Sequence, residues 1–97
     1  MTSPPTDPIA ELSICRAQIE EVASRLVALL AERVDLGRRT AALKRAAGLP
    51  LLDPRREAEV IRRAGERARE HGLVIEGVRQ IFWQIIALSR RAQETAS

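Results

Sequence analysis

Residues 8–47 read PIAELSICRAQIEEVASRLVALLAERVDLGRRTAALKRAA. No proline falls between Pro8 and Pro50, and Gly37 is the one glycine before Gly48. Apolar side chains recur at steps of three and four: Leu12, Cys15, Ile19, Val22, Leu26, Leu29, Leu36 and Leu43. That is helical periodicity, closer to a heptad than to a strand. It predicts one helix from Pro8 to about Ala47, closed by Gly48 and Pro50. The apolar seam is interrupted by Arg33 and Thr40, and Arg16 and Lys44 lie one residue beside seam positions.

Length makes this helix consequential. At ~1.5 Å per residue it spans about 60 Å, whereas a compact chain of this size has a diameter of roughly 33 Å. The helix must project, and its seam needs a partner along the whole length. A homodimer of paired long helices with two-fold symmetry is the expected solution.

Outward from the helix, residues 1–7 read as a frayed tail, and residues 8–97 as a single helical domain. The link GLPLLDP, residues 48–54, is apolar at its centre and is expected to pack over something. Asp53-Pro54 is a helix start, with Asp capping free amides and Pro suiting the first turn. Helix 2 is predicted from Pro54 to His71 with an inward stripe of Glu57, Val60, Ile61, Ala64 and Ala68; Gly72 stops it. Helix 3 is predicted from Ile75 to Thr95, with no good cap and a stripe of Val78, Ile81, Phe82, Ile85, Ile86, Ser89 and Gln93. No strand pattern or internal repeat appears. The fold class is all-α, three helices per chain, the first very long.

Composition narrows function by exclusion. The apolar fraction is 45%, yet only Phe82 and Trp83 are aromatic, so the core rests on Leu, Ile, Val and Ala as in helical bundles. No run reaches the ~18 apolar residues of a membrane helix, and MTSPPTDP has no signal-peptide pattern; a cytoplasmic protein without a membrane partner is expected. Cys15 is the sole cysteine, so no internal disulfide forms, and no Cys/His cluster provides a metal site. The net charge is +3, with fifteen arginines and one lysine. Arg is a good helix former, and Arg38, Arg39, Arg62, Arg63, Arg67, Arg69 and Arg90 have Glu or open surface as surroundings. A basic footprint alone does not define a nucleic-acid site, and none is expected.

The informative residues are polar ones on apolar stripes: Arg16, Arg33, Thr40 and Lys44 on helix 1, Glu57 on helix 2, Ser89 and Gln93 on helix 3. Singly, each has a structural explanation, since Arg can snorkel and Ser costs little in a helix. Together they place several cations where few buried anions are available, and unpaired buried charge is expensive; the missing anion reads as a ligand. Arg33 and Lys44 are eleven residues apart, close to three turns, and project from nearly one face. Arg16 precedes Arg33 by about 25 Å of helix and cannot reach the same small ligand. If Arg16 belongs to the site, an antiparallel partner helix must deliver it. No activated nucleophile or Gly-rich phosphate loop accompanies these residues. A polyanion clamp with a carboxylate and neutral donors suits conformational restraint and electrostatic stabilisation.

The segments LSICRAQI, LVALLAER, AALKRAAGLPLLDPRREAEVI and IFWQIIALSRRAQ resemble the all-α AroQ class of chorismate mutases from about Leu12 to Gln93. Arg16, Arg33, Lys44, Asp53, Arg56, Glu57, Ser89 and Gln93 fall where that family places its site residues. The resemblance implies an intertwined homodimer with two composite sites and no cofactor. The implied reaction is the Claisen rearrangement of the dicarboxylate chorismate to prephenate, on the shikimate-pathway branch towards phenylalanine and tyrosine. It further implies that Arg16 of the partner subunit and Arg33 hold the enolpyruvyl carboxylate. Lys44 and Gln93 would approach the ether oxygen, Glu57 and the Asp53 turn the ring hydroxyl, and Arg56 and Ser89 the ring carboxylate. In this set Lys44, Gln93 and Arg33 are the catalytic candidates and the others bind substrate.

Relatives often carry acidic residues where this chain has Glu20 and Ala23; the first is conservative and the second is not. Thr40 replaces a pocket-facing aliphatic residue; its hydroxyl is expected to bond back to its own helix, the alternative being contact with substrate. Gly37 costs about 1 kcal/mol against Ala in a helix and permits close helix approach. Two rivals share the fold: isochorismate-pyruvate lyase, whose members typically lack the acidic loop and following Glu, and a mutase of 4-amino-4-deoxychorismate, whose amine would also suit Glu57. A basic helical module for nucleic acid or a partner helix is the non-enzyme alternative.

Overall fold

The computed structural model of the chain describes residues 7–95. Three helices follow in order, α1 Pro8–Ala46, α2 Pro54–Glu70 and α3 Ile75–Thr95, and no strand occurs among the described residues. The all-α expectation holds, with helix ends within one residue of those read from sequence. Among the described residues no helix is long and apolar enough to cross a membrane. The tail expected over residues 1–7 lies, except for Asp7, outside the described residues.

Local chemistry explains the boundaries. Asp7 Oδ1 accepts from Ile9 N at 3.1 Å with Pro8 in the first turn, an Asp-Pro start like the one at α2. There Asp53 Oδ1 accepts from Arg56 N at 3.1 Å, satisfying an amide that has no intrahelical partner. Both α1 and α2 end in the same glycine motif. Gly48 has φ of 70° and Gly72 of 68°, a left-handed conformation that costs glycine nothing. Leu49 N then donates to Lys44 O and Leu73 N to Ala68 O, each at 2.8 Å, while the glycine amides reach Arg45 O and Arg69 O at 3.2 Å. These are Schellman closures. No side chain caps α3; Val78 N donates instead to the Val74 carbonyl at 3.1 Å.

The chain divides into two compact units, Met1–Ala31 and Glu32–Ser97. In the first, every described residue through Leu29 is exposed. The seam residues Leu12, Ile19, Val22, Leu26 and Leu29 are 44–66% exposed. Burying what remains open on such side chains is worth about 1 kcal/mol each.

In the second unit, α2 packs on α3 across the short turn at Gly72. The buried apolar residues are Ala41 from α1, Ile61, Ala64 and Ala68 from α2, and Ile86 from α3, joined by the polar Ser89. Small side chains on α2 allow close approach. Gly65 is part of this surface: a Cβ there would come 2.7 Å from Arg79 Nε, so the guanidinium of Arg79 lies directly over it.

Two packing expectations are met only in part. Leu51 and Leu52, at the centre of the link, are 42% and 60% exposed, because they lie along the open side of a cavity rather than in the core. Ile81 is 58% exposed, because at about 100° per residue it falls on the flank of the stripe through Val78, Phe82, Ile85, Ile86 and Ser89. On the outer face of α2, Arg62 donates to Glu59 at 2.6 Å and also pairs with Glu66, while Arg63 Nε reaches Glu59 at 3.0 Å. The Arg62 hydrogen bond holds the Glu59 carboxyl below its ordinary value, and Glu59 in turn raises Arg62.

Candidate active site

The second unit contains a cavity of about 540 Å³. Seven of the eight residues singled out in sequence line it: Arg33 and Lys44 from α1, Asp53 from the link, Arg56 and Glu57 from the first turn of α2, and Ser89 and Gln93 from α3. The Asp53 cap sets the start of α2, and thereby fixes Arg56 and Glu57 one turn inside it.

Arg33 Nη1 donates to Ser89 Oγ at 2.9 Å, so a buried hydroxyl and a half-buried cation satisfy each other across two helices. Gln93 Nε2 donates to the Gly37 carbonyl at 3.4 Å. A Cβ on Gly37 would stand 3.3 Å from that same nitrogen, so the missing side chain is what lets the Gln93 amide sit there. Lys44 Nζ donates to Leu51 O at 3.3 Å. Both of these bonds are long, hence weak, and both are exchangeable for a better acceptor. Thr40 also lines the cavity, but its Oγ1 donates to Leu36 O at 2.8 Å, the bond back to its own helix expected from sequence.

Arg16 is the eighth residue. It lies in the first unit and is exposed, and its side chain makes no hydrogen bond or ion pair among the described residues.

From sequence Arg90 has Glu or open surface as surroundings and is not among the candidate site residues. It lines the cavity and pairs with Glu57, whose side chain is only 18% exposed. Its adjacency to Ser89 was the available signal. The lining carries five cations, Arg33, Lys44, Arg45, Arg56 and Arg90, against three carboxylates, Asp53, Glu57 and Glu94. Asp53 is engaged at the helix start and Glu57 by Arg90, so the cavity favours an anion. Leu36, Leu51, Leu52, Val60 and Ile86 supply an apolar wall. A few directed polar groups on an apolar surface of this size fit a small polar metabolite.

Two comparisons bear on what the cavity serves. The sequence matches the family described as Chorismate mutase type II over residues 15–94. It is similar to a chorismate mutase of Methanocaldococcus jannaschii, 31% identical over 84 residues that cover 87% of this chain and 84% of that one. The family match takes in the whole cavity lining and reaches all three helices, and the chain belongs to the type II chorismate mutases, a family of isomerases.

Proposed function

We propose that this chain rearranges chorismate to prephenate by holding a compact, chair-like conformer and stabilising the negative charge that grows on the ether oxygen as its C–O bond breaks. The observation that carries the reading is the gathering of Arg33, Lys44 and Arg56 with Ser89 and Gln93 around one cavity. A dicarboxylate answers the excess of cations there.

The roles are those that the family resemblance implies, assigned to residues that line one cavity. Arg33, steadied by Ser89, receives the enolpyruvyl carboxylate, and Arg56 with Ser89 receives the ring carboxylate; Glu57, beside the Asp53 turn, accepts from the ring hydroxyl. Lys44 and Gln93 exchange their long bonds to backbone carbonyls for the ether oxygen. Each donor aimed at developing charge in a dry site contributes ~3–4 kcal/mol, judged by removal of comparable oxyanion donors. Restraint of the conformer lowers the barrier further, because the two ends of one molecule must meet. The rearrangement moves no proton and needs no cofactor.

In this reading residues 8–97 act as one mutase domain and work as a homodimer. Support comes from the open seam of α1, with Leu12, Ile19, Leu26 and Leu29 exposed, and from Arg16 standing free on the same helix. A second α1 covers the seam, and Arg16 of the partner subunit completes the clamp on the enolpyruvyl carboxylate.

The test is incubation with chorismate, isochorismate and 4-amino-4-deoxychorismate side by side, with products identified by chromatography and mass spectrometry. Prephenate from chorismate is expected. Salicylate with pyruvate from isochorismate would assign a lyase instead. Turnover of none, with salt-sensitive polyanion binding, would sink the enzyme reading in favour of a basic binding module.

A further inference from the structure

Glu57 and Arg90 line the same cavity and are bonded to each other across 33 residues of sequence, joining the first turn of α2 to α3. The carboxylate is the more enclosed partner, with Glu57 18% and Arg90 47% exposed at the side chain. A carboxylate offers about four lone-pair sites, so pairing with one guanidinium leaves acceptors for a donor arriving from the cavity. That donor meets a pair whose net charge is zero, inside a lining where Arg33, Lys44 and Arg56 already tip the balance to positive.

A neutral hydroxyl and an ammonium fare differently against such a pair. The hydroxyl gives up little hydration and gains a hydrogen bond to the free lone pairs. The ammonium must shed much more hydration. It meets a carboxylate already neutralised, and it is repelled by Arg90 and by the other cations.

We propose that Arg90 is a specificity-determining residue: by pairing with Glu57 it tunes the cavity to a substrate with a neutral hydroxyl on its ring and against one with an ammonium there. The inference rests on the chorismate reading above and deepens it. Arg90 acts through Glu57 and is a positioning residue rather than a catalytic one.

The experiment measures kcat/KM of the full chain for chorismate and for 4-amino-4-deoxychorismate, in the wild type and in Arg90→Met, Arg90→Gln and Arg90→Lys, with thermal melting of each. The wild type should prefer chorismate. The two neutral variants should move the ratio towards the amine by at least about tenfold, mainly through KM, because a like charge at this range is removed. Arg90→Lys keeps the charge and should hold the ratio within about threefold of wild type. Two neutral variants guard against one that misfolds, and a merely structural role would lower both activities together. An unchanged ratio in the folded neutral variants, or a wild type that prefers the amine, would overturn the role of Arg90 while leaving a mutase in place. Turnover of neither substrate by the wild type would overturn the mutase reading itself and this inference with it.

Discussion

Gly37→Ala should stabilise the protein while slowing it. Inside a helix Ala is favoured over Gly by about 1 kcal/mol. The new Cβ would lie 3.8 and 3.9 Å from the Cβ and Oγ of Ser89, ordinary contacts, and 3.3 Å from Gln93 Nε2, a tight one. The tight neighbour is the tip of a flexible amide, which yields by a few tenths of an ångström at small cost. Stability should therefore rise by about 0.5–1 kcal/mol, or roughly 3–6 °C in Tm for a domain of this size. The amide that yields is the one assigned to the ether oxygen. A misplacement of ~1 Å costs about a hundredfold in rate, so a shift of about half that should lower kcat by about threefold to tenfold. KM should change less, because the carboxylate clamp lies on other residues. Melting followed by circular dichroism, with steady-state loss of chorismate on the same preparations, reads both quantities. A variant that is more stable with an unchanged kcat would refute the placement of Gln93 at the reacting oxygen. One destabilised by more than about 1 kcal/mol would refute the claim that the approach of α3 to Gly37 is relieved by Gln93 alone.

Three further expectations are simpler. Lys44→Ala should lower kcat by about a hundredfold to a thousandfold, as removal of a comparable oxyanion donor does, with Tm nearly unchanged because Lys44 makes one long bond to Leu51 O; near-normal turnover would remove it from the mechanism. Mixing inactive Arg16→Ala and Lys44→Ala proteins should restore activity through heterodimers that carry one intact site each. No recovery after subunit exchange verified by mass spectrometry would count against a site shared between chains. Glu59 supplies a pH dependence: its carboxyl is depressed in the folded state, chiefly by the Arg62 hydrogen bond. The native state then binds fewer protons than the unfolded chain, so this contribution is complete above the ordinary carboxylate value and disappears as pH falls through the lowered one. Glu59→Gln should flatten the acid limb of Tm against pH, and superimposable limbs would show that the network contributes nothing.

What was legible in sequence was local. Asp53-Pro54 and Gly48 announce their helix ends because a cap and a left-handed residue act within five positions of themselves. The seam of α1 and the cations that interrupt it are likewise visible, since a 3.6-residue period assigns faces without knowledge of what those faces meet. The misreadings share one cause. The link through Leu51 and Leu52 looks as if it should be covered, and Ile81 looks like part of a stripe, because hydropathy reports a need for burial and not the element that would supply it. Gly65 attracted no attention because its purpose is to make room for Arg79, fourteen positions away.

By itself, then, the sequence determined three helices, their ends, and a set of misplaced cations with a carboxylate, a hydroxyl and an amide for company. Only the tertiary structure decided who stands next to whom. Arg33 meets Ser89 and Gln93 meets Gly37 across 56 residues, and Glu57 meets Arg90 across 33. Those partnerships depend on how far each helix is rotated about its axis and how closely α3 approaches α1, quantities set by packing around small residues such as Gly37, Ala41, Ala64 and Ala68. Helical periodicity carries no information about them. An arginine facing solvent and an arginine facing Glu57 have the same spelling, and the difference appears only when α2 and α3 are brought together.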